Sequence, residues 1–187
     1  MKRIKNLLFF SLFAIVACKP DPVPKPEGYF RIALPEQKYD TLKTDCPYRF
    51  EINENARWQS LDSCWGDLRY PSLKATIQFT YKTVNDTNLP KLLGDAHELA
   101  YKHTVRAEGI QENLIYDPQG DVYGLFYKIK GEAATSSQFF VTDSSEHFLR
   151  GVLYFYAIPN RDSLAPVDKY MDQEILHLLN TLQWQNS

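Results

Sequence analysis

An α+β fold, an antiparallel β-sheet flanked by helices, is what this 187-residue sequence predicts, on three observations. Over 73–84 apolar and polar side chains alternate with the two-residue period of strands, and over 122–129 Tyr123, Leu125, Tyr127 and Ile129 fall together on one face. Over 89–106 and from 166 onward the apolar positions recur at three and four, as an amphipathic helix requires. The run 148–158 is apolar at nearly every position, so it predicts a central strand covered on both faces, with a helix over at least one of them. Strands in short antiparallel connections, with one middle and one terminal helix, make a layered α+β domain.

The chain opens with Lys2, Arg3 and Lys5 ahead of an apolar run broken only by Ser11, the build of a signal peptide over residues 1–17. The run holds about ten residues, too short for a hydrocarbon core that needs roughly 20 in a helix. It ends in Ile15-Val16-Ala17-Cys18, a small residue before a cysteine after two aliphatics, which resembles the bacterial lipobox. Cys18 is therefore the expected lipidation site, the other reading being an ordinary signal peptide with an incidental cysteine. Acyl chains anchor because each buried methylene contributes about 0.8 kcal/mol. Residues 18–27 continue with Pro20, Pro22, Pro24 and Pro26, a polyproline II spacer between bilayer and domain. Residues 28–187 remain as a single globular domain, long enough to bury a core without a metal.

Within that domain, Phe30, Ile32 and Leu34 alternate ahead of Pro35, predicting an extended arm over 28–35. Tyr48, Phe50 and Ile52, opposed by Arg49 and Glu51, predict a strand over 46–52. Residues 53–62, with Trp58, read as turns, and 64–70 as a second strand. Leu73, Ala75, Ile77, Phe79 and Tyr81 share one face of the strand 73–84. Asn88 can cap the following helix, Pro90 fits its first turn, and Leu92, Leu93, Ala96, Leu99, Ala100 and His103 form its stripe before Gly109 stops it. Strands at 114–116, 122–129, 138–142 and 148–158 come next, then a turn at 159–162. Pro166 starts the last helix, with Val167, Tyr170, Met171, Ile175, Leu178, Leu179 and Leu182 as its buried stripe.

Charge narrows the partners. The net charge of −2 becomes −5 once the three N-terminal cations are cleaved away, which argues against nucleic acid and against docking on an anionic membrane by charge. With Cys18 lipidated, Cys46 and Cys64 remain as an even pair in a compartment that permits oxidation. A reactive redox pair would lie two residues apart at a helix start, so the alternatives are a structural disulfide, contributing about 3 kcal/mol, or two reduced buried thiols.

No chemical motif stands out. His97 and His103 lie six apart on one helix, about 600° of turn, so they do not face one another and no metal site is expected. Ser136 and Ser137 carry neither a Gly-x-Ser-x-Gly elbow nor a Ser-x-x-Lys signature, and read as a small-residue link between strands. Glu146 and His147 are neighbours, but successive strand residues point to opposite faces. There is no phosphate loop and no dinucleotide fingerprint. The residues themselves predict a binding or scaffolding domain that needs no cofactor, not an enzyme.

Several stretches resemble a known family. They are Lys25-Pro26-Glu27-Gly28-Tyr29-Phe30-Arg31-Ile32 with Leu34-Pro35, Cys46-Pro47 and Cys64-Trp65, and the block from Gly131-Glu132-Ala133-Ala134-Thr135-Ser136-Ser137-Gln138 through Thr142-Asp143-Ser144. His147-Phe148-Leu149-Arg150-Gly151 and Leu153-Tyr154-Phe155-Tyr156 complete the set. Together they resemble the gliding motility lipoprotein GldD family of Bacteroidetes. That resemblance implies a lipoprotein needed for movement over surfaces, associated with envelope machinery that also supports type IX secretion, with no assigned catalytic residue. The order of elements is also similar to the Mog1/PsbP-like fold, an analogy of architecture alone.

The expected function is a non-enzymatic envelope scaffold that binds other motility and type IX secretion proteins, lipid-anchored, at the outer membrane and facing the periplasm. Lys19, where an aspartate would favour inner-membrane retention in proteobacteria, leans the same way. The expected partner surface is Tyr29 and Arg31 on the arm, with Glu132, Ser136, Ser137, Asp143 and His147 beyond it, because extended arms and short-side-chain loops leave backbone groups open for pairing. The alternative is a periplasmic glycan, peptidoglycan-fragment or small-ligand binder using Trp58, Trp65 and Tyr70 as stacking platforms.

Overall fold

Leu68, Ile77, Leu149 and Leu153 are fully buried, and the strands that carry them lie side by side. The computed structural model describes residues 33–102, 107–131, 135–156 and 161–185. In chain order its elements are β1 (Tyr39–Thr41), β2 (Tyr48–Arg49), β3 (Glu51–Asn53), β4 (Arg57–Ser60), β5 (Gly66–Tyr70), β6 (Ala75–Thr83) and α1 (Leu89–Lys102). There follow β7 (Ala107–Asp117), β8 (Val122–Gly131), β9 (Ser137–Thr142), β10 (His147–Phe155), α2 (Arg161–Thr181) and β11 (Gln183–Trp184). Seven strands form one sheet in the order β4-β5-β6-β10-β9-β8-β7, and every pairing within it is antiparallel. Two small ladders, β1 with β3 and β11 with β2, complete the set, so the α+β class with an antiparallel sheet is what forms.

The faces of the sheet follow from alternation. On β10, Leu149 and Leu153 belong to the larger core with Met171, Ile175 and Leu178 of α2, while Phe148 belongs to a smaller core with Ala96 and Ala100 of α1. Neighbouring residues of a strand point opposite ways, so the two helices cover opposite faces. All seven predicted stripe residues of the last helix are buried, Leu182 one position past the end of α2. Each fully buried Leu or Ile side chain stabilises by about 1.5–3 kcal/mol. Gly151 on β10 lies between Phe79 and Phe139 across the ladders, and a Cβ there would run into the Phe139 ring. Its bareness is what lets that ring fill the larger core.

Several boundaries differ from the sequence expectation. The strand 46–52 splits at Phe50, whose carbonyl accepts the Leu42 amide, and its halves pair with different partners, β11 and β1. Residues 57–60 pair as β4, placing Trp58 on the core of the sheet. Asn88 does not cap α1 with its side chain: that amide turns back to the Asn85 N–H and the Thr83 carbonyl, and the Asn88 backbone carbonyl accepts the Leu92 N–H. Gly109 lies inside β7, which is eleven residues long, because the ladder with β8 extends well beyond the three apolar positions at 114–116. The last helix begins at Arg161 with Pro166 inside it, so one helical amide bond is missing rather than the helix being delayed. Most of the arm at 28–35 falls outside the described residues, and 33–35 make no strand.

Candidate functional site

The expected partner surface divides. Cys18, Tyr29, Arg31 and Glu132 lie outside the described residues. Ser137 on β9 is fully buried: its hydroxyl donates to Asp172 of α2 at 2.8 Å and accepts from the Lys128 ammonium at 3.3 Å. Lys128 also bridges Asp168 at 2.6 Å and Asp172 at 2.7 Å. Burial pushes the Asp172 carboxyl above its ordinary value, against the pull of Lys128 and Ser137. Ser136 is half-buried, and its hydroxyl has no partner among the described residues.

His147 is 5% exposed, stacked on Trp184 at 5.0 Å with its Nδ1 2.8 Å from the Tyr81 hydroxyl. Asp143 is half-buried and accepts the amides of Ser145, Glu146 and His147 at 2.8–3.1 Å. Burial opposes its ionisation, but these amides prevail and hold its carboxyl below the ordinary value. Ser137 and His147 are thus interior groups that lock the β8–β9–β10 region, a correction to their place on a partner surface. Ser137 is buried on β9, all six of whose residues are buried, and His147, the first residue of β10, is buried against Tyr81 and Trp184.

The aromatic platform does not form either. Tyr70 is buried, Trp58 packs against Phe50 and Phe79, and only Trp65 faces solvent, its indole N–H bound to the Tyr81 carbonyl and the Lys82 ammonium 4.9 Å from its ring. Cys46 and Cys64 are joined as a disulfide with Cα atoms 5.4 Å apart, tying the approach to β2 to the turn before β5. The Tyr48 hydroxyl donates to the Cys64 carbonyl at 2.7 Å beside it.

One buried group was not anticipated. Glu174 of α2 is 2% exposed and accepts from the hydroxyls of Tyr39 at 3.0 Å and Tyr70 at 3.1 Å and from the Gln37 amide at 3.3 Å. Asn53 donates to the Tyr170 hydroxyl at 3.0 Å and to the Glu36 carbonyl at 3.1 Å. Burial, then the Glu174 charge, pushes Tyr39 up to about 12 and raises Tyr70 and Tyr170 as well. Position 174 falls between Met171 and Leu178 in the helical stripe, and an acid in that stripe was the available signal. The arrangement holds tyrosines neutral around a fixed carboxylate, so it fastens residues 36–39, β3 and β5 to α2. Among the described residues no group of three or more His, Cys, Asp or Glu side chains could hold a metal ion.

An open element of the sheet is β7. It is the last strand of the sheet, so its outer backbone groups pair with no strand among the described residues. Register places Leu114 opposite Leu125 and Tyr116 opposite Tyr123, on the face that α1 covers further along the hairpin, and the ends of these side chains stay in water. Leu114 is 76% and Tyr116 67% exposed, with the Tyr116 and Tyr123 rings 5.7 Å apart. Glu112, on the same face, accepts from Tyr101 at 2.8 Å. Residues 107–117 hold no Lys, Arg or Pro, the residues that guard an exposed edge, and their charges are all acidic.

A family model described as gliding motility lipoprotein GldD matches residues 19–184. No curated protein matches the chain. The matched span runs from the residue after Cys18 through every strand and helix described above, and on that extent the chain belongs to the gliding motility lipoprotein GldD family.

Proposed function

We propose that this lipoprotein is a non-enzymatic scaffold, anchored through Cys18 on the periplasmic side of the outer membrane, that holds other proteins of the motility and type IX secretion machinery. The observation that carries the reading is the β7 edge: the last strand of the sheet, its outer side paired with no strand among the described residues, with Leu114 and Tyr116 exposed beside it. Such an edge accepts an extended segment as an added strand, with main-chain bonds giving affinity and alternate side chains giving choice. Glu112 and Asp117 select a segment with cations, and Leu114 and Tyr116 select apolar residues at alternate positions. A non-enzymatic role is supported by the Ser137 hydroxyl, which is committed to Asp172 where no substrate reaches it. No described helix is long and apolar enough to cross a membrane.

Photocrosslinking tests the partner surface. A photoreactive residue at position 114 or 116, in cells, is expected to crosslink to one cation-bearing segment of a motility or secretion protein, whereas one at Lys91 on the exposed face of α1 is not. Crosslinks only between two copies of this chain, or equal crosslinks from all three positions, would remove the β7 edge from the account.

A further inference from the structure

At the opposite edge of the sheet lies a cavity of about 560 Å³ whose lining includes Arg57, Arg69, Lys74, Thr76 and Tyr156 and, among the described residues, no carboxylate. That volume suits a small molecule. Arg57 of β4 and Arg69 of β5 stand directly opposite each other in the ladder, an arrangement that destabilises a strand pair when both side chains are charged. Asp67 takes one Arg69 nitrogen at 3.2 Å, leaving most of that guanidinium fork free, and neither Arg57 nor Lys74 has an ion pair among the described residues. The cations gather in a chain whose net charge is −2, so the clustering runs against the composition.

The backbone holds the lining in place. Lys74 has φ 50°, the left-handed region that a glycine occupies without cost, yet a lysine stands there. Its carbonyl accepts the Tyr156 amide at 2.8 Å, which couples the lysine to the aromatic ring at the rim. Tyr156 is 64% exposed, so its ring face is available. Thr76 is buried beneath, on the strand next to β5.

We infer that this cavity binds an oxyanion, phosphate or carboxylate, carried on a sugar ring. The anion relieves the repulsion between Arg57 and Arg69 and takes paired N–H donors from their forks, a geometry that lysines alone do not supply. Lys74 adds a point charge, and the ring lies on Tyr156. This site is separate from β7, so the two proposals fail independently.

Titration calorimetry on the full-length lipoprotein in mild detergent tests it, with glucose 1-phosphate, glucuronate, inorganic phosphate and glucose as probes. The two ring-bearing anions are expected to bind, inorganic phosphate more weakly, and glucose not at all. Arg57→Gln and Arg69→Gln each weaken anion binding on the order of tenfold, the size of one lost charge-assisted pair. Tyr156→Ala weakens the sugar anions but leaves inorganic phosphate unchanged. All three side chains are exposed, and an unaltered thermal unfolding profile checks that each variant is folded. Absence of binding by any anion, or equal binding by the Arg57→Gln/Arg69→Gln variant, would overturn the site. Equal binding of glucose and glucose 1-phosphate would overturn its anionic character, and equal binding of inorganic phosphate would overturn the ring.

Discussion

Tyr70 donates its phenolic proton to Glu174 across 3.1 Å of buried interior, joining β5 to α2 over 104 positions of sequence. Tyr39 reaches the other carboxylate oxygen at 3.0 Å, so two hydroxyls and the Gln37 amide depend on one acid. Glu174→Ala strands the buried Tyr70 hydroxyl at about 1–3 kcal/mol, while half-buried Tyr39 and exposed Gln37 can turn to water, and the expected loss is about 2–3 kcal/mol in urea unfolding. Glu174→Gln keeps one acceptor and is expected to cost about 1 kcal/mol. Equal, negligible losses in both variants would show that the network does not fasten the domain.

The same network sets an alkaline limit. Tyr39 is pushed from 10.0 up to about 12 in the folded chain, by burial first and the Glu174 charge second. A folded value above the unfolded one stabilises fully below the unfolded value and is lost as pH rises through the folded one. Urea midpoints are therefore expected to stay level through neutral pH and fall between about pH 10 and 12, with a shallower fall in Glu174→Gln. A midpoint that begins to fall near neutral pH would contradict this.

Breaking the Cys46–Cys64 link should lower stability by about 3 kcal/mol, the chain-entropy value for a loop of this size. Reductant should shift the unfolding midpoint of the wild type and leave Cys46→Ser/Cys64→Ser unmoved. Indifference of the wild type to reductant would mean that the link contributes nothing.

Gly151→Ala places a methyl group in the ring of Phe139. Overpacking of this kind costs about 1–3 kcal/mol. Gly151→Ala combined with Phe139→Leu should recover part of that loss, because the obstructing ring is gone. Stability equal to wild type in the single variant would contradict the packing described for β10.

The framework was legible wherever periodicity was strong. The α2 stripe from Val167 to Leu182, the faces of β6 and the central, doubly covered β10 all follow from spacing of apolar residues. What could not be read depends on contacts distant in sequence. The break at Phe50 arises because β2 and β3 answer to β11 and β1, two- and three-residue strands with no period of their own. Ser137 and His147 looked like surface groups from their polar neighbours, and only their pairing with Asp172, Tyr81 and Trp184 takes them inside. The β7 edge was hidden for a related reason: only three of its eleven positions carried a strand pattern, and its long ladder comes from β8.

The scaffold claim rests on the exposed edge, and capture from native envelopes tests it most directly. Mild-detergent, crosslinked pull-downs would compare wild type, Leu114→Lys/Tyr116→Lys and Cys18→Ala. The account predicts that known motility or secretion components co-purify with the wild type. It predicts their loss from the β7 variant, which stays folded because both side chains are exposed, and from the unlipidated variant. Undiminished recovery of the same components with Leu114→Lys/Tyr116→Lys would contradict it.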